Sequence, residues 1–144
     1  MATIERISSS AGIALSDINE LLTQLHRDRK DPPATQADLD TISSGPKTIF
    51  VVAKDGEKAV GMATAYLVAK FGKTIGYVED VIVNETHRGQ GLGRKLLEKV
   101  IDEAKRSGVR QLYLTSRDGR TAANALYQKL GFEKRETNNY RLKF

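Results

Sequence analysis

The sequence predicts a mixed α/β (α+β) fold in a single domain, residues 1–144, with a central, mostly antiparallel sheet of about seven strands and about four helices. Strand-like segments in the middle of the chain are joined by tight-turn signals, which is typical of antiparallel hairpins. An amphipathic crossover helix follows them, so we expect the sheet to be mixed. A length of 144 residues suits one domain with its own core.

Hydrophobic periodicity locates the elements in chain order. The strand-like segments are Thr3–Ile7, Thr48–Ala53, Lys58–Ala69, Lys73–Val83, Arg110–Thr115, Phe132–Arg135 and Tyr140–Lys143. The segments with helical periodicity are Ile18–Leu25, Thr35–Ile42, Leu92–Ala104 and Thr121–Leu130. The last two strand-like segments are expected to form a closing pair.

Turn and cap signals separate these segments. Asp55-Gly56 predicts a hairpin between the second and third strands, and Phe71-Gly72 predicts the next turn. Two residue pairs resemble capping boxes at the starts of the first two helices, Asp17 with Glu20 and Thr35 with Asp38.

The chain has no cysteine, which excludes a disulfide framework, a thiolate metal site and a cysteine nucleophile. Its two histidines, His26 and His87, are too far apart in sequence to suggest a metal site. The chemistry must therefore use carboxylates, hydroxyls, tyrosine, cations or backbone amides. The formal net charge of +5 favours a polyanionic partner without identifying it.

No targeting or membrane-spanning segment is predicted. Residues 1–15 lack a sustained apolar stretch, and the longest uncharged run, Ala59–Ala69, is shorter than the roughly 20 residues that a spanning helix needs. We therefore expect a cytoplasmic protein without a membrane partner. The basic residues are not interleaved with base-reading aromatic side chains, so a nucleic-acid partner is not expected either.

A glycine-rich loop, Arg88-Gly89-Gln90-Gly91-Leu92-Gly93, lies between a β-branched strand end and the start of the third helix. Glycine lets the backbone approach a ligand, and free N–H groups at a helix start bind phosphate oxygens. The loop lacks the Gly-Lys-Ser/Thr ending of a Walker A loop. It also fails the dinucleotide-binding fingerprint, because Arg94 and Leu96 stand where glycine or alanine is required. A plain glycine-rich turn is the alternative.

This loop resembles the R-x-x-G-x-G segment of the GNAT family of N-acetyltransferases. The later stretch Ala123–Phe132, a helix that carries Tyr127 and ends in Gly-Phe, is similar to the second signature of that family. The predicted order of elements matches the family over essentially the whole chain. The resemblance implies acetyl-CoA as co-substrate, no metal, and direct acetyl transfer to an amine in a ternary complex.

The resemblance also implies where acetyl-CoA binds. Its diphosphate would lie on the backbone amides of Gln90–Arg94, and its pantetheine arm would pair with a strand backbone where the family splays two parallel strands apart. Many relatives carry Asn seven residues before the tyrosine, where this chain has Arg120, so the Asn124 contact departs from the family pattern. The implied contacts are Val81, Ile82, Val83, Arg88, Gly89, Gln90, Gly91, Leu92, Gly93, Arg94 and Asn124.

Glu79-Asp80 is the only acidic pair inside a predicted central strand. An alkylammonium with a pKa near ~10.4 costs roughly 4 kcal/mol to deprotonate at pH 7, and a nearby carboxylate lowers that barrier. Strand alternation sends the two side chains to opposite faces. The pair is similar to the acidic dipeptide of diamine and glucosamine-phosphate acetyltransferases, which implies Glu79 as water-mediated base and Asp80 as substrate contact. A buried carboxylate bonded to a neighbouring loop is the alternative.

The departing CoA thiolate needs a proton, and a tyrosine with a pKa near ~10 suits a thiol of pKa ~8.5–10. Tyr127 stands at the position of the family's general acid, and the resemblance implies that role for it. The alternative is an aromatic ring packed against the sheet, because Leu126 and Leu130 mark an apolar face nearby.

The acceptor is expected to be a primary amine of a small molecule. The alternatives are a protein or peptide amine, or a non-catalytic acyl-CoA-binding sensor on the same fold. In this family the early helices and C-terminal strands usually shape the acceptor site, here about His26–Thr41 and Glu136–Tyr140. Acidic residues there would attract a cation, but basic neighbours nearly cancel them, so an anionic amino-sugar phosphate or amino acid stays open. These residues are Asp28, Asp31, Asp38, Asp40, Arg27, Arg29 and Lys30. A homodimer also stays open.

Overall fold

A computed structural model of the protein describes residues 1–27 and 31–144. The chain divides into two compact units, Met1–Leu114 and Thr115–Phe144, which are described separately. In the described chain, the first unit holds a five-stranded sheet with three α-helices, and the second unit holds one α-helix.

The strands of the first unit are arranged in the sheet in chain order. They are β1 (Thr3–Ile7), β2 (Thr48–Asp55), β3 (Lys58–Lys70), β4 (Lys73–Val83) and β5 (Gln111–Tyr113). The pairs β1–β2, β2–β3 and β3–β4 are antiparallel and β4–β5 is parallel, so the predicted mixed, mostly antiparallel sheet is confirmed. The α-helices are α1 (Leu15–Leu25), α2 (Gln36–Ser44), α3 (Leu92–Arg106) and, in the second unit, α4 (Thr121–Lys129).

The predicted count of about seven strands is wrong, because the described residues form five. The expected closing pair, Phe132–Arg135 and Tyr140–Lys143, has no regular secondary structure. Its apolar side chains gain little burial, since Tyr140 and Leu142 are exposed. The residues between the two segments are charged or polar, and a strand pair without a buried face is at best marginally stable in water.

The two expected capping boxes have different outcomes. At α2, the N–H of Asp38 donates to Thr35 Oγ1 (3.1 Å) and the N–H of Thr35 donates to Asp38 Oδ2 (2.8 Å), which confirms the box. The box expected from Asp17 and Glu20 is wrong, because no side chain caps α1. Asp17 Oδ2 instead accepts the backbone N–H of Ala59 at 3.0 Å and ties α1 to β3.

Helices cover both faces of the sheet. Phe50, Met62 and Ile82 belong to one buried cluster with apolar residues of α1 and α2. Successive strand residues point to opposite faces, and a Cβ on Gly61, next to Met62, would lie 3.1 Å from Leu96 Cδ1 of α3. Helix α3 therefore packs on the face opposite to α1 and α2. A site over the other face of β3 and β4, the one that carries Met62 and Ile82, is therefore shaped by α1 and α2.

Candidate active site

The end of β4 is fixed by a short polar network. Asn84 is 1% exposed, and its N–H donates to the carbonyl of Val60 at 2.8 Å. Asn84 Oδ1 accepts the N–H of Thr86 at 3.1 Å, which starts a single 3₁₀ turn. Arg88 then follows, and its Nε donates to the carbonyl of Val83 at 3.1 Å. These contacts hold the entrance to the glycine-rich loop against the end of the strand.

The loop itself contains two left-handed glycines. Gly89 and Gly91 have φ angles of +78° and +76°, and a Cβ on either would meet no atom within 4 Å. The backbone conformation, rather than crowding, therefore requires glycine at both positions. Gly91 is the N-cap of α3, and the first N–H groups of a helix lack intrahelical acceptors. The exposed start of α3 is thus suited to an anion such as a diphosphate.

Strand β5 pairs with only the first part of β4. The parallel pairing covers Ile75–Tyr77 of β4 and Gln111–Tyr113 of β5. Strand β4 continues beyond this pairing, so within the described part of the chain residues 78–83 have no strand partner on that side. An extended ligand can pair with such an edge as an added strand does. The expected pantetheine contacts, Val81-Ile82-Val83, lie in this segment.

A β-bulge interrupts β4 at the acidic pair. Thr64 of β3 is opposite Glu79 whereas Met62 is opposite Ile82, so β4 has one more residue than β3 between these partners. Asp80 has a φ of +52°, and it is the only described residue other than glycine with a positive φ. Cross-strand partners share a face, so Glu79 lies on the same face as Thr64. The strict alternation expected for Glu79 and Asp80 does not hold.

An open cavity lies between α1, α2 and the sheet. Seven of its ten lining residues are apolar, and the polar ones are Asp38, Thr64 and Asp80. Asp80 therefore faces the cavity, whereas Glu79 is exposed and lies outside the lining. The larger apolar side chains of the wall are Ile18, Leu22, Leu39, Ile42, Phe50 and Met62.

Other polar groups surround Asp80. His26 Nε2 lies 4.0 Å from Asp80 Oδ1, at the outer limit of an ion pair. Thr64 is 2% exposed, and its hydroxyl donates to the carbonyl of Glu79 at 2.9 Å. Burial raises the pKa of Tyr66, a hydrogen bond with Thr64 opposes that rise, and the Asp80 and Glu79 carboxylates add to it. The Tyr66 phenol therefore stays protonated at neutral pH.

The sequence pattern does not single out Thr64 or Tyr66 as site residues, and it includes His26 only as the first residue of the expected acceptor segment. A signal was present for the first two, because Thr64 and Tyr66 stand two positions apart in an otherwise apolar part of a strand and so share a face. His26 follows the last residue of α1, and its approach to Asp80 depends on the bulge. The bulge itself cannot be predicted from the sequence, because the segment contains no glycine or proline that would indicate one.

The second unit carries the expected general acid. Tyr127 of α4 is 7% exposed, and its ring meets that of Phe132 edge to face with the ring centroids 6.1 Å apart. Burial raises the pKa of Tyr127, and the positive charge of Arg120 opposes this only in part. Asn124 Nδ2 donates to the carbonyl of Arg117 at 3.0 Å, so one group of its amide is engaged within its own segment.

The structure describes only part of the expected acceptor segment, His26–Thr41. Asp28, Arg29 and Lys30 lie outside the described residues. Asp40 accepts hydrogen bonds from Ser10 Oγ (2.6 Å) and the Gln36 amide (2.9 Å), which lower its pKa.

Among residues 1–27 and 31–144, no group of three or more His, Asp or Glu residues is placed to hold a metal ion. No helix in that part of the chain is long and apolar enough to cross a membrane.

The sequence matches the acetyltransferase (GNAT) family over residues 15–132. The chain belongs to this family. The prediction from the two motifs is thereby confirmed, and so is the prediction that the protein is an acyltransferase. GNAT enzymes use acetyl-CoA as their co-substrate, which accords with the glycine-rich loop and the unpaired edge of β4.

Similar proteins differ in the acceptors for which they are named. The chain is 28% identical over 129 residues to glucosamine 6-phosphate N-acetyltransferase of Trypanosoma brucei brucei, covering 84% of this chain and 86% of that protein. It is 34% identical over 80 residues to L-2,4-diaminobutyric acid acetyltransferase of Shouchella clausii, covering 56% and 44%. A crystal structure of a Trypanosoma brucei acetyltransferase is similar with a TM-score of 0.78, 26% identity and full coverage of both chains. Family membership therefore leaves the acceptor of this chain undecided.

Proposed function

We propose that the protein transfers the acetyl group of acetyl-CoA directly to the primary amine of a small molecule. The observation that carries this proposal is the order of features along β4. The bulge presents Glu79 and Asp80 to the face that holds the cavity. The next residues, Val81–Val83, run along an unpaired strand edge towards the glycine-rich loop. One strand thus joins a carboxylate-lined cavity to a surface that suits an extended phosphorylated ligand.

The residues on the donor side fit acetyl-CoA. The amides at the start of α3 and the Arg88 guanidinium would hold the diphosphate, and the backbone of Val81–Val83 would pair with the pantetheine arm. The left-handed Gly89 and Gly91 keep Cβ atoms away from the loop surface. Acetyl-CoA, when bound, supplies the activated acetyl thioester. Contacts also expected from the family pattern are Gln90, Leu92, Gly93, Arg94 and Asn124.

The acidic pair prepares the acceptor. An ammonium group must lose a proton before nitrogen can attack a thioester, at a cost of roughly 4 kcal/mol at pH 7 for an alkylamine. Glu79 is exposed to solvent, which suits a base that takes this proton through a water molecule. Asp80 lines the cavity, which suits a carboxylate that contacts the amine itself. Their different exposure thus supports the division of roles that the sequence implied.

Tyr127 donates the proton that the departing thiolate requires. Burial raises the pKa of its phenol, so the acid form persists across neutral pH. The chain contains no cysteine on which an acetyl group could be carried as a thioester. Direct attack of the amine is therefore the transfer route that these residues support.

The test is the release of free CoA thiol from acetyl-CoA with a panel of polyamines, amino sugars, amino acids and peptides. We expect release with at least one small amine, and a product heavier by one acetyl group in mass spectrometry. Release with peptides alone would favour a protein acetyltransferase. Tight acetyl-CoA binding without release on any amine would favour a sensor. Either of these results overturns the proposal.

A cytoplasmic location remains a prediction from the sequence.

A further inference from the structure

The buried hydroxyl of Thr64 is bonded to the backbone of β4 at the bulge. Thr64 is 2% exposed, lines the cavity and lies opposite Glu79, where the extra residue of β4 begins. Its Oγ1 donates to the Glu79 carbonyl oxygen at 2.9 Å. A hydroxyl has only one proton, so Thr64 is not a donor to a ligand in this arrangement. Its hydroxyl acts instead on the backbone that carries the acidic pair.

The bonded carbonyl belongs to the peptide group that joins Glu79 to Asp80. A peptide group is planar, so its C=O and its N–H turn together. Turning this plane changes the ψ angle of Glu79 and the φ angle of Asp80 in opposite senses while the rest of the strand stays in place. The hydrogen bond from Thr64 therefore holds the plane in the orientation in which Asp80 has a φ of +52°.

A second orientation of this peptide plane would be less strained. Half a turn of the plane would bring Asp80 to a negative φ in the extended region, which any residue adopts, and would point the Glu79 carbonyl away from Thr64. The net contribution of one hydrogen bond is similar in size to the strain at one left-handed aspartate. Turning the plane would also leave a buried hydroxyl without its partner. The bond from Thr64 is thus large enough to decide between the two orientations.

We infer that Thr64 is a positioning residue, whose hydroxyl keeps the peptide between Glu79 and Asp80 in its left-handed bulge orientation and so directs both carboxylates. This inference rests on the proposed function, in which Glu79 is the base and Asp80 contacts the amine. With the plane turned, the two carboxylates would leave the positions that those roles require. A small displacement of reacting groups is enough to lower a rate strongly.

The kinetic test compares Thr64→Val, which keeps the branched shape without the hydroxyl, with Thr64→Ser, which keeps the hydroxyl. Both are assayed with whichever amine the panel identifies. We expect kcat of Thr64→Val to fall about tenfold at pH 7 and to approach the wild-type value near pH 9.5, where more of the amine has lost its proton without help from a base. KM for acetyl-CoA should stay within about twofold, and Thr64→Ser should keep the wild-type kcat and pH profile.

Three kinetic results would overturn the inference. An equal loss in Thr64→Val and Thr64→Ser would mean that packing, rather than the hydroxyl, is responsible. A loss in Thr64→Val of the same size at every pH would separate Thr64 from the proton transfer. A higher KM for the amine with an unchanged kcat would mean that the side chain contacts the substrate directly.

Crystal structures give a second measurement, which does not depend on turnover. We expect a positive φ at Asp80 in the wild type and in Thr64→Ser, and a negative φ in Thr64→Val. A positive φ in Thr64→Val overturns the inference, whatever the kinetics show. If φ changes as expected but the wild type acetylates no amine, the proposed function fails while the role of Thr64 in holding the bulge stands. Thr64→Ala removes the same hydroxyl and replaces Thr64→Val in both tests if that variant does not fold.

Ser43→Ala is the matched control for a loss of stability. Ser43 is 5% exposed, and its Oγ donates to the carbonyl of Leu39 at 2.7 Å within α2. The variant therefore also loses a buried bond from a hydroxyl to a carbonyl, at a residue that does not line the cavity. We expect a lower urea midpoint in both Ser43→Ala and Thr64→Val, but a wild-type pH profile and a positive φ at Asp80 in Ser43→Ala. An equal shift of the pH profile in both variants would attribute the effect to lost stability and overturn the inference.

Discussion

The glycine-rich loop and the bulge of β4 use the same unusual backbone conformation with opposite side-chain requirements. In the loop, Gly89 and Gly91 adopt left-handed φ angles in open space, so nothing but conformation prevents a side chain there. In the bulge, Asp80 adopts a φ of +52° although it carries a side chain. A non-glycine residue in this region costs of order 1 kcal/mol, with Asp and Asn at the low end.

The difference indicates what each region contributes. At the loop the amides themselves are suited to bind the ligand, so a residue without a side chain meets both the conformational and the chemical requirement. At the bulge a side chain is present, and the chain keeps a carboxylate there despite the cost in backbone energy. Strain retained at a non-glycine residue that faces a cavity is typical of a functional position.

The largest effect is expected at a residue that belongs to neither region. Tyr127→Phe should lower kcat by about 10²–10⁴-fold, because the thiolate then leaves without its proton donor. The dissociation constant of acetyl-CoA and KM of the amine should not change, which separates chemistry from both binding regions. Because burial raises the pKa of Tyr127, loss of activity through its ionisation is expected only above about pH 10.

Phe132→Leu is the matched control for Tyr127→Phe. It removes the ring contact with Tyr127 and leaves the phenol in place. We expect kcat to fall by less than about tenfold, as a packing change without loss of the acid predicts. An unchanged kcat in Tyr127→Phe, or an equal loss in both variants, would remove the phenol from the mechanism.

The next effect tests which carboxylate of the bulge acts as the base. Glu79→Gln should lower kcat at pH 7 by about 10²-fold and move the rising limb of the pH profile to higher pH, because the amine must then lose its proton to solvent. The profile from pH 6 to 10 is the measurement. A profile that keeps its position in Glu79→Gln but shifts in Asp80→Asn would exchange the two roles.

Features with a local cause could be predicted from the sequence. The hairpins, the amphipathic α3 and the glycine-rich loop depend on short patterns, and each is present in the structure. The caps illustrate the limit. Thr35 and Asp17 begin similar patterns, but only Thr35 caps its helix, because α1 already begins at Leu15 and Asp17 lies inside its first turn. There the Asp17 carboxylate accepts an N–H from a strand 42 residues away. A pattern of neighbouring residues cannot predict a hydrogen bond to a donor so far along the chain.

The candidate site likewise has features that local patterns predict and features that depend on contacts between distant residues. Motifs and residue types are enough to predict the acidic pair, the loop and Tyr127 as site residues. The direction of Asp80 depends on a surplus residue in the pairing of β3 with β4, which alternation along one strand cannot reveal. The expected closing strands failed for a related reason, since an alternating pattern predicts a strand only if a partner surface buries it.

A smaller effect is expected when the loop is given a side chain. Gly91→Ala should raise the dissociation constant of CoA about tenfold and lower the free energy of unfolding by about 1–2 kcal/mol, because alanine is strained at a φ of +76°. Calorimetry and urea denaturation measure the two effects. Gly119→Ala is the control, since that glycine has no left-handed φ and also lies in open space. Equal losses in both variants would mean that left-handed geometry is not the cause.

The smallest change in stability is expected at the bulge, and it tests the comparison most directly. Asp80→Gly removes the strain but adds unfolded-state entropy, so the free energy of unfolding should stay within about 0.5 kcal/mol of the wild type. Asp80→Ala keeps the strain and should be less stable than Asp80→Gly by about 1 kcal/mol. Both variants should lose affinity for the amine to a similar degree, because both lack the carboxylate. If Asp80→Gly instead unfolds more easily than Asp80→Ala, the aspartate serves the fold, and its place in the cavity no longer explains why the chain tolerates a left-handed residue there.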